Sequence, residues 1–457
     1  MVAQALWMVD HVAHEAMLFA GIGLLIGGID DLLVDLCFIG GWLSRPRSEP
    51  LTLATLPVPR MPGRLIVFVP AWDEEAVIGH MLAAAIGRYD HHDYAIYVGL
   101  YPNDPRTIAA AAAIAQIDGR IRLVVGEADG PTTKADCLNT LWAALLADEM
   151  HEGVRAKAII LHDAEDVVHA AELRVIDALI EGRTVVQLPV LPLIAPDARL
   201  VSGHYADEFA EAHGKQLVVR VGLGAAMPLA GTGCGIARDT LARIATERGG
   251  RPFDAASLTE DYELGLRIGE QAGQALFARV RETENGPLVA VRAYFPATLR
   301  AAARQKARWM TGIALAGWDR TGWGRALALA DHWMRMRDRR APLAVLVLAT
   351  AYVATIAWLV RAVMHWATDV PLPDDRSEQV LLTTNGALLV WRLGWRMACT
   401  GAAYGWRESL WSLPRFFVGN LVALMAAPRA IARYVAMLSG AAPVWDKTRH
   451  DFPRMDA

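Results

Sequence analysis

The sequence predicts an α/β protein, a doubly wound and mostly parallel sheet with flanking transmembrane helices, and three observations carry that expectation. Between residues 60 and 335, β-branched apolar runs alternate with helical patterns, the arrangement that builds a parallel sheet with right-handed crossovers. One run, AKAIIL, ends abruptly in the carboxylates Asp163, Glu165 and Asp166, and a buried strand that delivers acids to the carboxyl edge of such a sheet marks a ligand site. Hydrophobic residues make up 54% of the 457, with 15 Trp and a mean hydropathy of +0.25, yet charged residues still reach 21%, which implies a soluble body joined to membrane segments.

The elements follow in order. Residues 1–50 form an N-terminal membrane segment in which Ala16 to Leu43 is long and apolar enough to cross a bilayer core of about 30 Å. Asp30, Asp31 and Asp35 interrupt it; acids are costly in lipid and belong in a protein interior or at the membrane boundary. Arg45 and Arg47 place the next segment on the cytoplasmic side. No basic leader with a small-residue cleavage site precedes them, so no removable signal peptide is expected. The Pro-rich LPVPRMPG then opens the soluble domain. RLIVFVP is a strand, with a helix starting near Asp73; YAIYVGLYPND is a strand ending in Asn103 and Asp104, and TIAAAAAIAQI is its helix. IRLVV is a third strand, followed by a Gly/Pro/Thr loop carrying Lys134 and another helix, and AKAIIL is the next strand.

Beyond it, TVVQLPVLPLI reads as a strand, HYADEFAEAHGKQLVVR as a long helix, and AGTGCGIARDTL as a Gly-rich loop leading into a helix. SLTEDYELGLRIGEQ is a helix that Thr259 caps, with Glu260 and Asp261 in its first turn. FPATLRAAARQKARWMTGIALAGW is basic and amphipathic, a helix lying along the membrane face with Trp309, Trp318 and Trp323 as anchors. Arg335 to Arg340 form a second cytoplasmic positive cluster. Residues 341–457 are the C-terminal membrane region, where APLAVLVLATAYVATIAWLV is the clearest span and weaker candidates lie around Val380 to Ala402 and Phe416 to Met437.

A net charge of −4 gives no reason to expect nucleic acid as a partner. Cys37, Cys137, Cys234 and Cys399 are scattered without CxxC spacing, which argues against a zinc site or a disulfide framework and fits a reducing compartment. The acids carry more. Carboxylates packed as closely as Asp163 to Asp166 repel one another, and the usual remedy is a hard divalent cation, Mg2+ or Mn2+, shared with a phosphate-bearing substrate. Taken singly, the same residues fit plainer roles: a solvated turn for DAE, a loop lysine for Lys134, and simple complementarity to a helix dipole for Glu260 and Asp261. The Gly231 to Gly235 loop lacks the Lys-Ser/Thr ending of a P-loop and reads as part of the binding site, with Cys234 incidental.

As an ordered set, PAWDEE (Pro70 to Glu75), Asn103 and Asp104, KADCLN (Lys134 to Asn139), DAE (Asp163 to Glu165), TED (Thr259 to Asp261) and QKARW (Gln305 to Trp309) resemble the motifs of membrane-bound family 2 glycosyltransferases of the GT-A, QxxRW class. HDAEDV, SLTEDYE and WDKTRH look most like the NfrB-type inner-membrane members, known as partners in a phage-adsorption and surface-polysaccharide system. The resemblance implies a GT-A fold, a nucleotide-sugar donor, a glycan or lipid-linked acceptor, inversion, and an outer-membrane or export partner. It also implies a multi-pass bacterial inner-membrane protein with its catalytic domain in the cytoplasm. Three positions depart from the pattern: Gly99 and Leu100 stand where paired Asp would fall, Asp73 stands for Asn, and Glu165 replaces the second Asp of DxD, with Asp166 an alternative ligand.

Moving a sugar from a nucleoside diphosphate builds charge on the departing phosphate, so catalysis rests on stabilising that leaving group. Asp163 and Glu165 are assigned to the cation and Arg308 to the phosphates as a planar fork. Asp261 is the general base for the acceptor hydroxyl. By resemblance, Trp309 stacks an acceptor sugar, Lys134 contacts a phosphate or donor hydroxyl, Glu74 and Asp104 line the nucleoside pocket, and Glu260 and Gln305 complete the binding set. Two other readings stay open: a membrane scaffold or export component with secondary or no transferase activity, and a nucleotidyltransferase, which would not need Trp309 beside membrane spans.

Overall fold

A computed structural model describes residues 2–44, 50–61, 63–271, 273–373, 375–441 and 451–453; Arg45, Arg47 and the WDKTRH stretch lie outside them. α1 (Val2–Ser44) is followed by β1 (Leu65–Pro70), α2 (Ile78–Arg88), β2 (Tyr94–Leu100), α3 (Pro105–Ala115), β3 (Ile121–Val125), α4 (Lys134–Glu152), β4 (Ala158–Leu161), α5 (Glu172–Leu179) and β5 (Val185–Gln187). α6 (Val201–Glu211) passes through a π turn (Ala212–Gln216) into α7 (Leu217–Gly222), and β6 (Cys234–Ala237), α8 (Arg238–Glu247), α9 (Glu260–Glu270) and β7 (Ala275–Phe277) complete the sheet. α10 (Leu299–Met310), a second π turn (Thr311–Leu315), α11 (Ala316–Thr321) and α12 (Leu329–Arg339) lead into α13 (Ala341–Thr368), α14 (Arg376–Tyr404) and α15 (Trp406–Leu438).

The seven strands lie in the order β3-β2-β1-β4-β6-β5-β7, parallel except that β6 runs antiparallel to both its neighbours. Leu65 pairs with Tyr94 on one side and with Ala158 on the other, which brings the carboxyl ends of β1, β2 and β4 to one edge. All six residues of β1 are buried, because helices cover both faces. Leu65, Val67 and Val69 pack with Ile78 and Met81 of α2, while Ile66 and Phe68 pack with Leu138, Leu141 and Trp142 of α4. At roughly 1.5–3 kcal/mol for each large apolar side chain, this double layer is the main support of the site's edge.

Local signals explain where the helices begin. Asp104 accepts the Thr107 N–H and Pro105 takes the first position of α3; Thr133 accepts the Asp136 N–H at the start of α4, and Gly153 ends it in the left-handed region at φ 69°. Four expectations change. The helix expected near Asp73 starts at Ile78, because Asp73 has φ 53° and its N–H goes to the Asp104 carboxylate instead. The Gly-rich loop is partly β6, where a side chain on Gly235 would collide with Ile176. Only Val185–Gln187 of TVVQLPVLPLI is a strand, since Pro189 and Pro192 have no N–H and the rest makes isolated bridges through Val190 and Leu193. Thr259 is at the N-cap of α9, but its hydroxyl makes no cap hydrogen bond.

By length and apolar composition, two of the described helices are candidates to cross a membrane, α13 and α15; the stretches read as spans in α1 and α14 are not among them. α1 packs along α13 and α14, and Asp30, Asp31 and Asp35 are paired. Asp31 lies 2.9 and 2.7 Å from Arg337 and Arg340, Asp30 accepts the Trp333 indole N–H at 2.6 Å, and Asp35 lies 2.5 Å from Lys215. The expected positive cluster is therefore not an open basic patch: Arg337 and Arg340 hold α1, Arg335 is fully buried against Asp331 and Glu270, and Arg339 lies over the Trp318 and Trp323 rings. α10 packs Ala302, Ala307 and Met310 against Val422, Ala426 and Ala430 of α15, so its apolar face is covered by protein.

Candidate active site

Nine of the ten residues singled out in the sequence line one cleft: Glu74, Lys134, Asp163, Glu165, Glu260, Asp261, Gln305, Arg308 and Trp309. They come from the carboxyl ends of β1 and β4, the start of α4, the first turn of α9, and α10. Asp104 does not line it. As the cap of α3 it accepts the Asp73 N–H at 2.6 Å, while Thr107 accepts the Glu74 N–H at 2.9 Å, so this corner orients the turn that carries Glu74.

At the centre, the Lys134 ammonium lies 2.5 Å from Asp163 Oδ1 and 3.7 Å from Glu260 Oε1. Burial alone would push its pKa down, but the Asp163, Glu260 and Asp261 charges outweigh burial and push it up. Asp261 is pushed up to about 7, by burial first and the neighbouring Glu260 second, with Lys134 working the other way. Its Oδ1 accepts the Tyr262 N–H at 2.7 Å. Gly231 permits this approach: it sits at φ 74°, and a Cβ there would lie 2.5 Å from Asp261 Oδ2. The Gln305 side-chain oxygen is buried without a hydrogen-bond partner among the described residues.

The cleft lining has six carboxylates, those of Glu74, Asp163, Glu165, Asp166, Glu260 and Asp261, against the two cations of Lys134 and Arg308. Such an excess fits a divalent cation bound through oxygen. Asp166 is spoken for: it is 2% exposed, and its Oδ2 accepts the Asp163 N–H at 2.9 Å and the Thr232 hydroxyl and lies 2.8 Å from His162 Nδ1. The other ring nitrogen of His162 lies 2.7 Å from Glu172 Oε1. Burial would lower the His162 pKa, but Glu172 and the bonds to both carboxylates push it up to about 10. Glu165 is the less buried partner of Asp163.

The far wall is aromatic. Trp309 meets Tyr205, Phe209 and Phe295 at centroid distances of 6.0, 6.2 and 6.3 Å. Lys306, paired with Glu208, lies over the Tyr205 and Trp309 rings. Burial raises the Glu208 pKa, yet Lys306 and its neighbours hold it down at about 2. Trp309 is thus seated in a ring cluster rather than at a lipid interface. Sequence reading missed Tyr205, Phe209, Phe295, His162 and Thr232; the four-residue spacing of Tyr205, Phe209 and His213 was the one available sign of an aromatic helix face.

Residues 62–312 match the family profile described as glycosyltransferase like family 2. Bacteriophage adsorption protein B of Escherichia coli (strain K12) is 32% identical over 460 residues, covering 94% of this chain and 61% of that protein. Bacteriophage N4 adsorption protein B of Escherichia coli O157:H7 gives the same figures. The chain therefore spans about three fifths of the length of these curated relatives. Among solved structures, a mannosyltransferase from Pyrobaculum calidifontis in complex with GDP-Man and Mn2+ superposes with a TM-score of 0.55 at 16% identity, covering 93% of this chain and 99% of that one, a likeness of fold.

Proposed function

The chain belongs to glycosyltransferase like family 2, and from that premise we propose that its cleft moves a sugar from a nucleotide-sugar donor to a glycan or lipid-linked acceptor, with inversion, at a bacterial inner membrane. The observation that carries the proposal is the meeting of Asp163, Glu165, Lys134, Asp261 and Arg308, distant in sequence, around one cleft closed by Trp309.

Asp163 and Glu165 would hold Mg2+ or Mn2+, which when bound supplies a Lewis acid for the diphosphate. Arg308 and Lys134 add fixed positive charge for the same phosphates, Arg308 as a two-pronged donor. The acceptor hydroxyl must lose its proton as it attacks the anomeric carbon, and Asp261, held at about 7, is suited to take it near neutral pH. An acceptor sugar stacks on the Trp309 face, with Phe209, Tyr294 and Phe295 beside it. Nucleoside diphosphate leaves on the side of Glu74.

α13 and α15, long and apolar enough to cross a membrane, support a multi-pass protein; a catalytic domain on the cytoplasmic side and a setting in surface polysaccharide synthesis are part of the proposal. The names of the curated relatives, which speak of bacteriophage adsorption, favour a second reading, a membrane scaffold with little turnover of its own. A donor screen on membranes holding the full chain, with Mg2+ or Mn2+ and with chelator, tests the two. Metal-dependent release of nucleoside diphosphate and a mass shift of one or more sugars on the acceptor support the transferase. No turnover with any donor supports the scaffold.

A further inference from the structure

We infer that His162 is a positioning residue that fixes the turn carrying Asp163 and Glu165, acting through Asp166; this rests on the reading above that those two carboxylates hold the cation. His162 follows β4, where its backbone N–H donates to Phe68 O at 3.0 Å and so anchors it to the central strand. Its ring is completely buried and held at both ends, 2.8 Å from Asp166 Oδ2 and 2.7 Å from Glu172 Oε1. Glu172, at the start of α5, is itself completely buried, so the ring spans from the helix layer to the turn.

Asp166 passes that constraint to the cation carboxylates. Its Oδ2 takes the Asp163 N–H at 2.9 Å, and its backbone N–H donates to Asp163 O at 3.2 Å, which closes residues 163–166 into a turn with Asp163 at one end and Glu165 inside. The Thr232 hydroxyl donates to the same carboxylate oxygen and ties the turn to the loop entering β6. A ligand pair must keep its geometry within a fraction of an ångström to hold a hard cation, and groups behind the ligands commonly decide that. His162, Asp166 and Thr232 are those groups here.

Two substitutions separate positioning from plain stability. A glutamine amide reaches the place of Nε2 and an asparagine amide the place of Nδ1. His162→Gln therefore keeps the Glu172 contact and releases Asp166, whereas His162→Asn keeps Asp166 and releases Glu172. Each loses the same ring and its charge between the two carboxylates together with one buried hydrogen bond, so both melting temperatures should fall by a similar amount. The probe is Mn2+ alone, titrated into the detergent-solubilised full chain and read by loss of the free Mn2+ paramagnetic resonance signal, with no donor or turnover involved.

The expected result is at least about tenfold weaker Mn2+ binding in His162→Gln and less than about threefold in His162→Asn, the range reported for groups behind metal ligands being about 10–100-fold. Thr232→Val, which removes only a hydroxyl from Asp166, should weaken Mn2+ binding a few-fold and keeps the test alive where the His162 variants do not fold. Equal Mn2+ affinity in wild type, His162→Gln and Thr232→Val overturns the inference, and so does a loss that merely follows melting temperature across all three. Failure of the wild type itself to bind Mn2+ overturns instead the assignment of Asp163 and Glu165 to a cation.

Discussion

Replacing Asp261 by asparagine is the sharpest perturbation of the proposed chemistry. Asparagine keeps the shape and can still accept the Tyr262 N–H, which lies 2.7 Å away, but it cannot take a proton. Loss of a general base removes about 10²–10⁴-fold, or about 2.7–5.4 kcal/mol of transition-state stabilisation at 1.36 kcal/mol per tenfold. Stability moves the other way. Burial and Glu260 raise this carboxyl from an ordinary 3.8 to about 7, so the fold favours its neutral form. The contribution is whole below the ordinary value and is lost as pH rises through about 7. Asp261→Asn carries no such charge, and at pH 8 it should melt at or above the wild-type temperature. With the donor found in the screen, nucleoside diphosphate release gives kcat/KM against pH: for wild type about tenfold per unit below pH 7 and then flat, for the variant a low rate without that slope. A variant that keeps more than about a tenth of the rate, or that still breaks near pH 7, refutes Asp261 as the base.

Arg308→Lys keeps the charge but loses the fork; charge-assisted bonds of about 1.5–3 kcal/mol predict a fall in kcat/KM for the donor of about 10–100-fold, read by the same release assay. Gly231→Ala forces a side chain into φ 74° and toward Asp261 Oδ2, which should cost about 1–3 kcal/mol in thermal unfolding and lower kcat more than KM. Asp104→Ala removes a cap worth about 0.5–2 kcal/mol and frees the Asp73 N–H, so the melting temperature should drop. If Asp104 also reads the nucleoside, donor KM rises beyond what that loss explains. Asp30→Ala leaves Arg337 and Arg340 with Asp31 alone and should destabilise the full chain by about 1–3 kcal/mol, seen as an earlier detergent melt.

Residues that carried their meaning locally were read correctly from sequence. The apolar runs of β1, β2 and β4 are legible because both sheet faces are covered, so every position in them is apolar. Asp163, Asp261 and Arg308 were legible as an ordered set. What escaped depended on partners far along the chain. The arginines from Arg335 to Arg340 read as a cytoplasmic positive cluster, and only the fold brings Asp30, Asp31 and Glu270 to them. β7 is three residues long, too short to show a period. The start of α2 was misplaced because the acids after Pro70 suggest a helical first turn, whereas the nearby Asp104 captures the Asp73 N–H and holds that residue out of the helical region.

The junction of the sheet domain with the long helices follows from the two faces of α6. Tyr205 and Phe209 recur at four residues on the side toward Trp309, and Asp207, Glu211 and, through the π turn, Lys215 recur on the side toward α15, α14 and α1. Glu211 lies 3.0 Å from both Arg396 and Lys215 and is held at about 2 despite burial, which by itself raises it. Asp207, with Arg415 3.3 Å away, is pushed up to about 7 because burial outweighs that weaker contact. Buried charges of this kind are poor evidence of net stability, since desolvation offsets most of their attraction. Their effect is on register. Turning α6 about its axis so that Phe209 left the cleft would pull Glu211 from Arg396 and Lys215 from Asp35, leaving Arg396 and Asp35 without those partners. The ionic face of one helix therefore fixes the direction of the rings on its other face, and the aromatic wall of the cleft stays aligned only while the long helices are docked.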